Sequence, residues 1–363
     1  MNDEEKIKNL EDSLDLVKNK KSKIYFLTQD TQGVPKASVA VIYEYVKILK
    51  DAGYNAYVLH EKDNYKFEGD DNSMGLSDWL GKEYSQLPHA SIEGNQLQVG
   101  PADFLVVPEM YSHVMEQTNN MFCTKIVLCQ SYDYIFEMLQ PGASWVNYGF
   151  TRVLTTSKIS GDYIRNMFPG AEISIIPNAI SDKFSKDEDS LQPPVMLIHT
   201  RDPRDTMKLV KSFYTKYPQF RWITFRDMRG MSMDDFSNNM KEACGAVWVD
   251  DISGFGTFPL ECMKSGVPVI GKIPNLKPEW LEEENGFWTY EFNSLVDVIN
   301  AFVKTWLEDG LPETLYEKMD STVEKYDTKT QSDMLLEYFE SLHTEKITDI
   351  KNALNKFTEK EEK

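Results

Sequence analysis

Short apolar runs and longer amphipathic stretches alternate over most of the chain. Residues 2–21 carry an amphipathic helical pattern that closes on the lysine cluster "KNKKSK", where cations complement the end of a helix dipole. "KIYFLTQ" is a short β-rich run. The Gly/Pro loop "DTQGVPKAS" follows, then the helical period of "VAVIYEYVKILKDAG", which ends at Gly53, then the strand "YNAYVLHE". Strand, helix, strand is the parallel βαβ unit. "DFLVVPE", "KIVLCQ", "RVLTTS" and "EISIIPNAI" read as further buried strands, and "SKISGDYIRNMF" as a helix capped near Ser157. Residues 61–100 are polar and glycine-rich and read as an irregular excursion at the sheet edge.

The charged, aperiodic stretch "SDKFSKDEDSLQPP" reads as a linker. The alternation then restarts. "VMLIHT", "FRWITF", "GAVWVDD" and "PVIGK" are strand-like, separated by the helical patterns "DTMKLVKSFYTKY" and "SMDDFSNNMKEAC" and by the stretch "SGFGTFPLECMKSG". From "NSLVDVINAFVKTWLED" onward the pattern is helical. The expected fold class is α/β, with two Rossmann-like domains facing one another. The boundaries drawn are an N-terminal helix at 1–22, a first domain at 23–184, a linker at 185–194, a second domain at 195–325 and closing helices at 326–363.

A length of 363 residues suits two domains. The net charge of −19 disfavours nucleic acid and anionic lipid as long-range partners but leaves room for a local basic pocket and for peripheral membrane contact. Cys123, Cys129, Cys244 and Cys262 form no C-x-x-C pair, and the five histidines are scattered, so no metal site is expected. The unpaired thiols and the acidic opening "MNDEEKIKNL" point to the cytoplasm, and no run reaches the ~18 apolar residues of a membrane span.

In an open α/β sheet, ligands sit at the carboxyl ends of the strands. In the second half those ends carry His199, Thr200, Arg201 and Arg204, then Arg226 and Asp227, then Asp250, Asp251 and the glycine loop Ser253, Gly254, Phe255, Gly256, Thr257. Guanidinium forks beside a glycine-rich helix start offer converging donors to a diphosphate. The bland alternative for Arg201 and Arg204 is pairing within "RDPRD". Glu261, just inside the following helix, is placed to accept hydrogen bonds from vicinal sugar hydroxyls.

"GFGTFPLECMKSGVPVI" resembles the E-G-F-G-x-x-x-x-E-A-M-A-x-G-x-P-V-V signature of the retaining, family-4-like glycosyltransferases of the GT-B fold. "ISIIPNAISDKF", "PEWLEEENGFWT", "QGVPKASVAVIYEYVKILKDAGYNAYVL" and "EKYDTKTQSDMLLEYFESL" resemble its interdomain motif, its P-E-x-I-x-x-x-x-N-G motif, its N-terminal glycine loop and its closing helix. The likeness runs over roughly residues 23 to 345. It implies an acceptor in the first domain, a nucleotide-sugar donor in the second, C-terminal helices crossing back onto the first domain, and no cofactor or required metal. It implies that Glu261 holds the donor ribose, that Gly254 to Thr257 line the donor sugar and diphosphate, that Gly33 approaches the same diphosphate, that Arg201 and Arg204 stabilise the leaving group, and that Gln130 stands where many relatives have a histidine near the acceptor.

The departures are specific. Ser253 replaces the first carboxylate of the signature, and a hydroxyl supplies no charge to the reacting sugar; Asp250 and Asp251 are the carboxylates nearby. Asp205 holds the usual lysine position, with Lys208 one turn on. The expected activity is metal-independent, retaining transfer of a sugar from a nucleotide diphosphate sugar to a glycan, lipid-linked or protein acceptor, as in polysaccharide biosynthesis. The alternative is a non-catalytic GT-B subunit that binds nucleotide-sugar or glycan.

Overall fold

The computed structural model describes residues 3–69, 74–93, 97–186 and 193–361. The first unit runs α1 (Asp3–Lys18), β1 (Lys23–Leu27), α2 (Ala37–Asp51), β2 (Asn55–His60), α3 (Leu76–Leu80), β3 (His89–Ser91), β4 (Phe104–Pro108), α4 (Ser112–Gln117), β5 (Thr124–Cys129), α5 (Tyr134–Met138), β6 (Arg152–Thr155), α6 (Lys158–Met167) and β7 (Glu172–Ile175). The second runs β8 (Val195–Thr200), α7 (Pro203–Lys216), β9 (Thr224–Asp227), α8 (Met233–Lys241), β10 (Gly245–Val249), α9 (Thr257–Lys264), β11 (Val269–Lys272), β12 (Phe287–Thr289), α10 (Leu295–Glu308) and α11 (Glu313–Val323). A last helix, α12 (Thr328–Glu361), closes the chain. Of the expected linker, residues 187–192 lie outside the described residues.

Among the described residues the strands form two parallel sheets, one of seven strands in the order β3-β2-β1-β4-β5-β6-β7 and one of five in the order β12-β11-β10-β8-β9. Parallel strands are covered on both faces and so read as continuous apolar runs. "FLVVP" of β4 and "GAVWV" of β10 are buried at every position. In each sheet the first strand is an internal one and the chain reverses direction beside it, between β1 and β4 and between β8 and β10. Such switch points leave a crevice outside the strand ends.

Within 61–100, of which 70–73 and 94–96 lie outside the described residues, the expected excursion at the sheet edge also contains α3 and the edge strand β3, which pairs in parallel with β2 through Val58↔His89 to His60↔Ser91. A three-residue "HAS" strand carries no legible alternation. Side chains hold it: His60 Nε2 and His89 Nδ1 share a hydrogen bond of 2.8 Å, and the Tyr65 ring stacks on His60 at 3.9 Å.

α12 returns to the first unit. Leu335, Phe339 and Leu342 enter the core formed by β1, α2 and β4, and α12 also packs along α1. The Phe339 ring lies 5.9 Å from that of Phe26 and 6.3 Å from that of Phe104. Ser22 Oγ and His343 Nε2 are hydrogen-bonded at 3.1 Å, and Lys346 Nζ donates to the Asp103 carbonyl at 2.9 Å. Truncating a buried Phe costs about 3–5 kcal/mol. Phe339→Ala is therefore expected to lower the denaturant midpoint sharply; an unchanged midpoint would mean that α12 adds nothing to the first core.

Candidate active site

The two switch points face each other across a cavity of about 480 Å³. The first unit contributes Gln29 beyond β1, the start of α2, Glu109 beyond β4, and Gln130 and Tyr134 beyond β5. The second contributes His199, Arg201, Asp250 and the loop that opens α9.

Two helices begin in this cavity, α2 from one unit and α9 from the other. Lys36, the residue capping α2, has extended backbone and supplies no side-chain acceptor to the first turn. Gly256 caps α9 and supplies none either, and neither first turn holds an acid. The free N–H groups and positive dipole ends of both helices therefore point into one space. Gly256 is required twice over: its φ is +74°, and a Cβ would stand 2.7 Å from Trp248 Cζ2. Two cations join the helix starts. Lys36 Nζ donates to Gln29 Oε1 at 3.1 Å. Arg201 bridges the units, with Nη1 3.3 Å from Asp250 Oδ2 and Nη2 3.2 Å from the Tyr134 hydroxyl.

A second chamber of about 430 Å³ opens behind the first and shares Ala37, Asn178 and Thr257 with it. Glu261 faces this chamber. Burial pushes its carboxyl up to about 8, against a hydrogen bond from the Thr257 side chain, and the charge of Glu44 adds to the rise. Glu44, on α2, lines the same chamber and is pushed up to about 7 by burial. In the first cavity Glu109 is also pushed up to about 7 by burial, although Oε1 accepts the Ser131 N–H at 2.8 Å. His199 stacks on Phe258 at 4.9 Å, and burial pushes it down to about 4, so its ring is neutral.

The residues expected from the sequence divide. Arg201, Gln130, Ser253, Phe255, Gly256 and Thr257 line the first cavity, and Glu261 and Thr257 line the second. Gln130 Nε2 donates to the Ser38 carbonyl at 2.8 Å, which ties it to the start of α2. Gly254 packs against the first unit, where a Cβ would meet Ser160 Oγ at 2.1 Å. Arg204 does not reach the cavity: its side chain is 83 % exposed and paired with Asp202, 2.6 Å away, whose carboxylate also caps α7. Lys208 is held by Asp205 at 2.9 Å, and Arg226 bonds Asn239 on α8. Gly33 lies outside the cavity as well; a Cβ there would stand 2.4 Å from the Glu68 carbonyl oxygen, so it closes its loop on that segment. Lys36, Glu44 and Glu109 were missed, while His199 was placed at its strand end without a role. Glu109 also sits at a strand end, the position that singled out Arg201. Among the described residues no group of three or more His, Cys, Asp or Glu side chains is placed to hold a metal ion.

No protein-family profile matches the chain, and no curated protein matches it in sequence. Solved structures do match. Sucrose-phosphate synthase from Thermosynechococcus elongatus superposes with a TM-score of 0.60 at 13% identity, over 89% of this chain and 99% of that one. The fold is GT-B. The lipopolysaccharide outer core galactosyltransferase WaaB follows at a TM-score of 0.59 and 12% identity, over 88% of this chain and 99% of that one. Anabaena Alr3699/HepE, solved in complex with UDP, gives 0.55 and 14% over 88% and 100%. At these identities the likeness speaks for the GT-B fold, and no described helix is long and apolar enough to cross a membrane.

The buried carboxyls set a pH dependence. Glu261, Glu44 and Glu109 ionise near 4.5 when free, so at pH 6.5 to 8 the folded chain keeps protons that the unfolded chain has lost. Stability then falls as pH rises. His60, His89 and His199, each pushed down to about 4 by burial, are neutral in the folded chain and largely so in the unfolded chain above 6.5. The thermal midpoint is expected to drop between pH 6.5 and 8, and less steeply in Glu261→Gln. Equal slopes in the two proteins would contradict this.

Proposed function

We propose that the protein is a retaining glycosyltransferase that moves a sugar from a nucleoside diphosphate sugar to a carbohydrate or glycoconjugate acceptor. The carrying observation is the meeting of two uncapped helix starts, Lys36 and Arg201 in one cavity between the two GT-B units. A diphosphate there meets backbone N–H groups from both units, an ammonium and a guanidinium. The UDP-bound Anabaena neighbour is in keeping with this reading.

The chemistry follows from charge. In a front-face displacement the sugar–phosphate bond lengthens while the acceptor hydroxyl approaches on the same side, and the departing phosphate takes its proton. The protein's task is to stabilise charge on the diphosphate and to hold two substrates together. Arg201 and the α9 start do the first. The donor sugar lies beside Ser253, with Asp250 as the nearby carboxylate; burial raises its carboxyl and Arg201 lowers it. The acceptor lies toward Gln130 and Glu109 on the first unit. Because the counter-charges are helix starts and side chains, turnover is expected to persist in EDTA; a strict need for Mg²⁺ or Mn²⁺ would contradict that mechanism. The free thiols suit a reducing compartment such as the cytoplasm.

Ser253 in place of a carboxylate, with Arg204 turned to solvent, favours a second reading: a subunit that binds the donor without transfer. Incubation with a panel of nucleotide sugars separates the two, since slow donor hydrolysis requires a working site.

The geometry distinguishes the arginines. Arg201→Ala and Lys36→Ala are each expected to weaken nucleoside diphosphate binding by about 1.5–3 kcal/mol, the loss of one charge-assisted partner, and Arg204→Ala to leave it unchanged. Titration calorimetry checks this; equal effects of Arg201→Ala and Arg204→Ala would refute the placement. Glu261→Gln is expected to erase any preference for ribo- over 2′-deoxyribonucleotides, because a site built to pair a hydroxyl rejects the analogue lacking it. A retained preference would remove Glu261 from the ribose.

A further inference from the structure

The second chamber is lined by a second carboxylate besides Glu261 that, among the described residues, lacks a partner. Glu44 interrupts the apolar run of α2, and its carboxylate lines the chamber between the units. Among the described residues it makes no hydrogen bond or ion pair; its neighbours Tyr84 and Glu261 feel its charge without bonding it. Half-buried at the chamber wall, the Glu44 carboxylate is open to donors from a ligand. Nearby, Asn178 Oδ1 is buried without a donor, and Asn178 stands at the passage between the two cavities. Among the described residues of the lining the one cation, Lys47, is paired with Asp51 at 2.6 Å. The chamber is therefore rich in free acceptors, and Trp79, Phe184 and Met233 give it apolar walls. A flat ring with a donor edge suits it; a phosphate does not.

Resting on the donor reading, we propose that Glu44 reads the donor's base and selects guanine. With the diphosphate at the helix starts and the ribose on Glu261, the base enters this chamber. A carboxylate accepts two parallel N–H bonds, and only guanine among the common bases presents two adjacent donors on one edge, N1–H and N2–H. Uracil offers one N–H between two carbonyls. Adenine and cytosine each place an acceptor beside their amino group, which a carboxylate repels. Glu44 is thus a specificity-determining residue supplied by the first unit, so base selection and closure of the two units are one event.

The test titrates GDP, IDP, UDP and ADP into wild type, Glu44→Gln and Arg201→Ala at pH 8. IDP lacks only the 2-amino group. Wild type should bind GDP most tightly and IDP about tenfold or more weakly, the loss of one charge-assisted bond. Glu44→Gln should weaken GDP by at least about tenfold, bring the GDP-to-IDP ratio near one and leave UDP nearly unaltered. Arg201→Ala should weaken all four alike. Glu44→Gln keeps the shape of the side chain and removes a half-buried charge without a partner, so its melting temperature should hold or rise, which separates a binding loss from misfolding. Preference for UDP or ADP, or equal GDP binding by wild type and Glu44→Gln, overturns the base assignment while leaving the donor reading standing. No binding of any diphosphate by wild type overturns both.

Discussion

Two uncapped helix starts, held face to face by separate sheets, are the constraint on which the rest of the molecule depends. The positive ends of α2 and α9 repel across a gap that also holds Lys36 and Arg201. Opposed ends with no acceptor of their own call for an anion between them. Their separation is set by topology: α2 leaves β1 and α9 leaves β10, each beside its sheet's switch point. The Arg201 bridge from Asp250 to Tyr134 spans the same gap, so the cation best placed for a diphosphate also ties the units together.

The first cavity holds the converging cations, Lys36 and Arg201, and the helix-start N–H groups, beside the carboxyls of Asp250 and Glu109. The second holds Glu44 and Glu261, and Asn178 stands at the passage and lines both. Thr257, whose side chain bonds Glu261, stands between them. Under the proposed reading a nucleotide lies across the passage, its phosphates at the helix starts and its ribose and base beside Glu261 and Glu44. The overall charge of −19 does not oppose this, because the cations are local and face inward.

The alternation of apolar strands and amphipathic helices made most of both sheets legible, because parallel strands covered on both faces leave a plain mark in sequence. The glycine loop was legible for a similar reason, since Gly256 fills a left-handed position that a side chain would block. What stayed hidden was decided by tertiary neighbours. β3 is too short for periodicity and rests on the His60–His89–Tyr65 stack. Arg204 stood beside the right loop, but Asp202 caps α7 and claims its guanidinium first. Glu44 was a lone acid in "VAVIYEYVKILK", and its place in a chamber follows only once the second unit faces that side of α2. Glu109 carried a usable signal, a carboxylate at a strand end, in the half of the chain where that test was not applied.

The central claim is the position of the diphosphate. A structure determined with a bound nucleoside diphosphate tests it most directly. The account predicts both phosphorus atoms in the first cavity, with phosphate oxygens within about 3 Å of backbone N–H groups at the starts of α2 and α9 and of the Arg201 guanidinium. Phosphates resting among Glu44, Glu261 and Asn178, or on Arg204 outside the cleft, would contradict it.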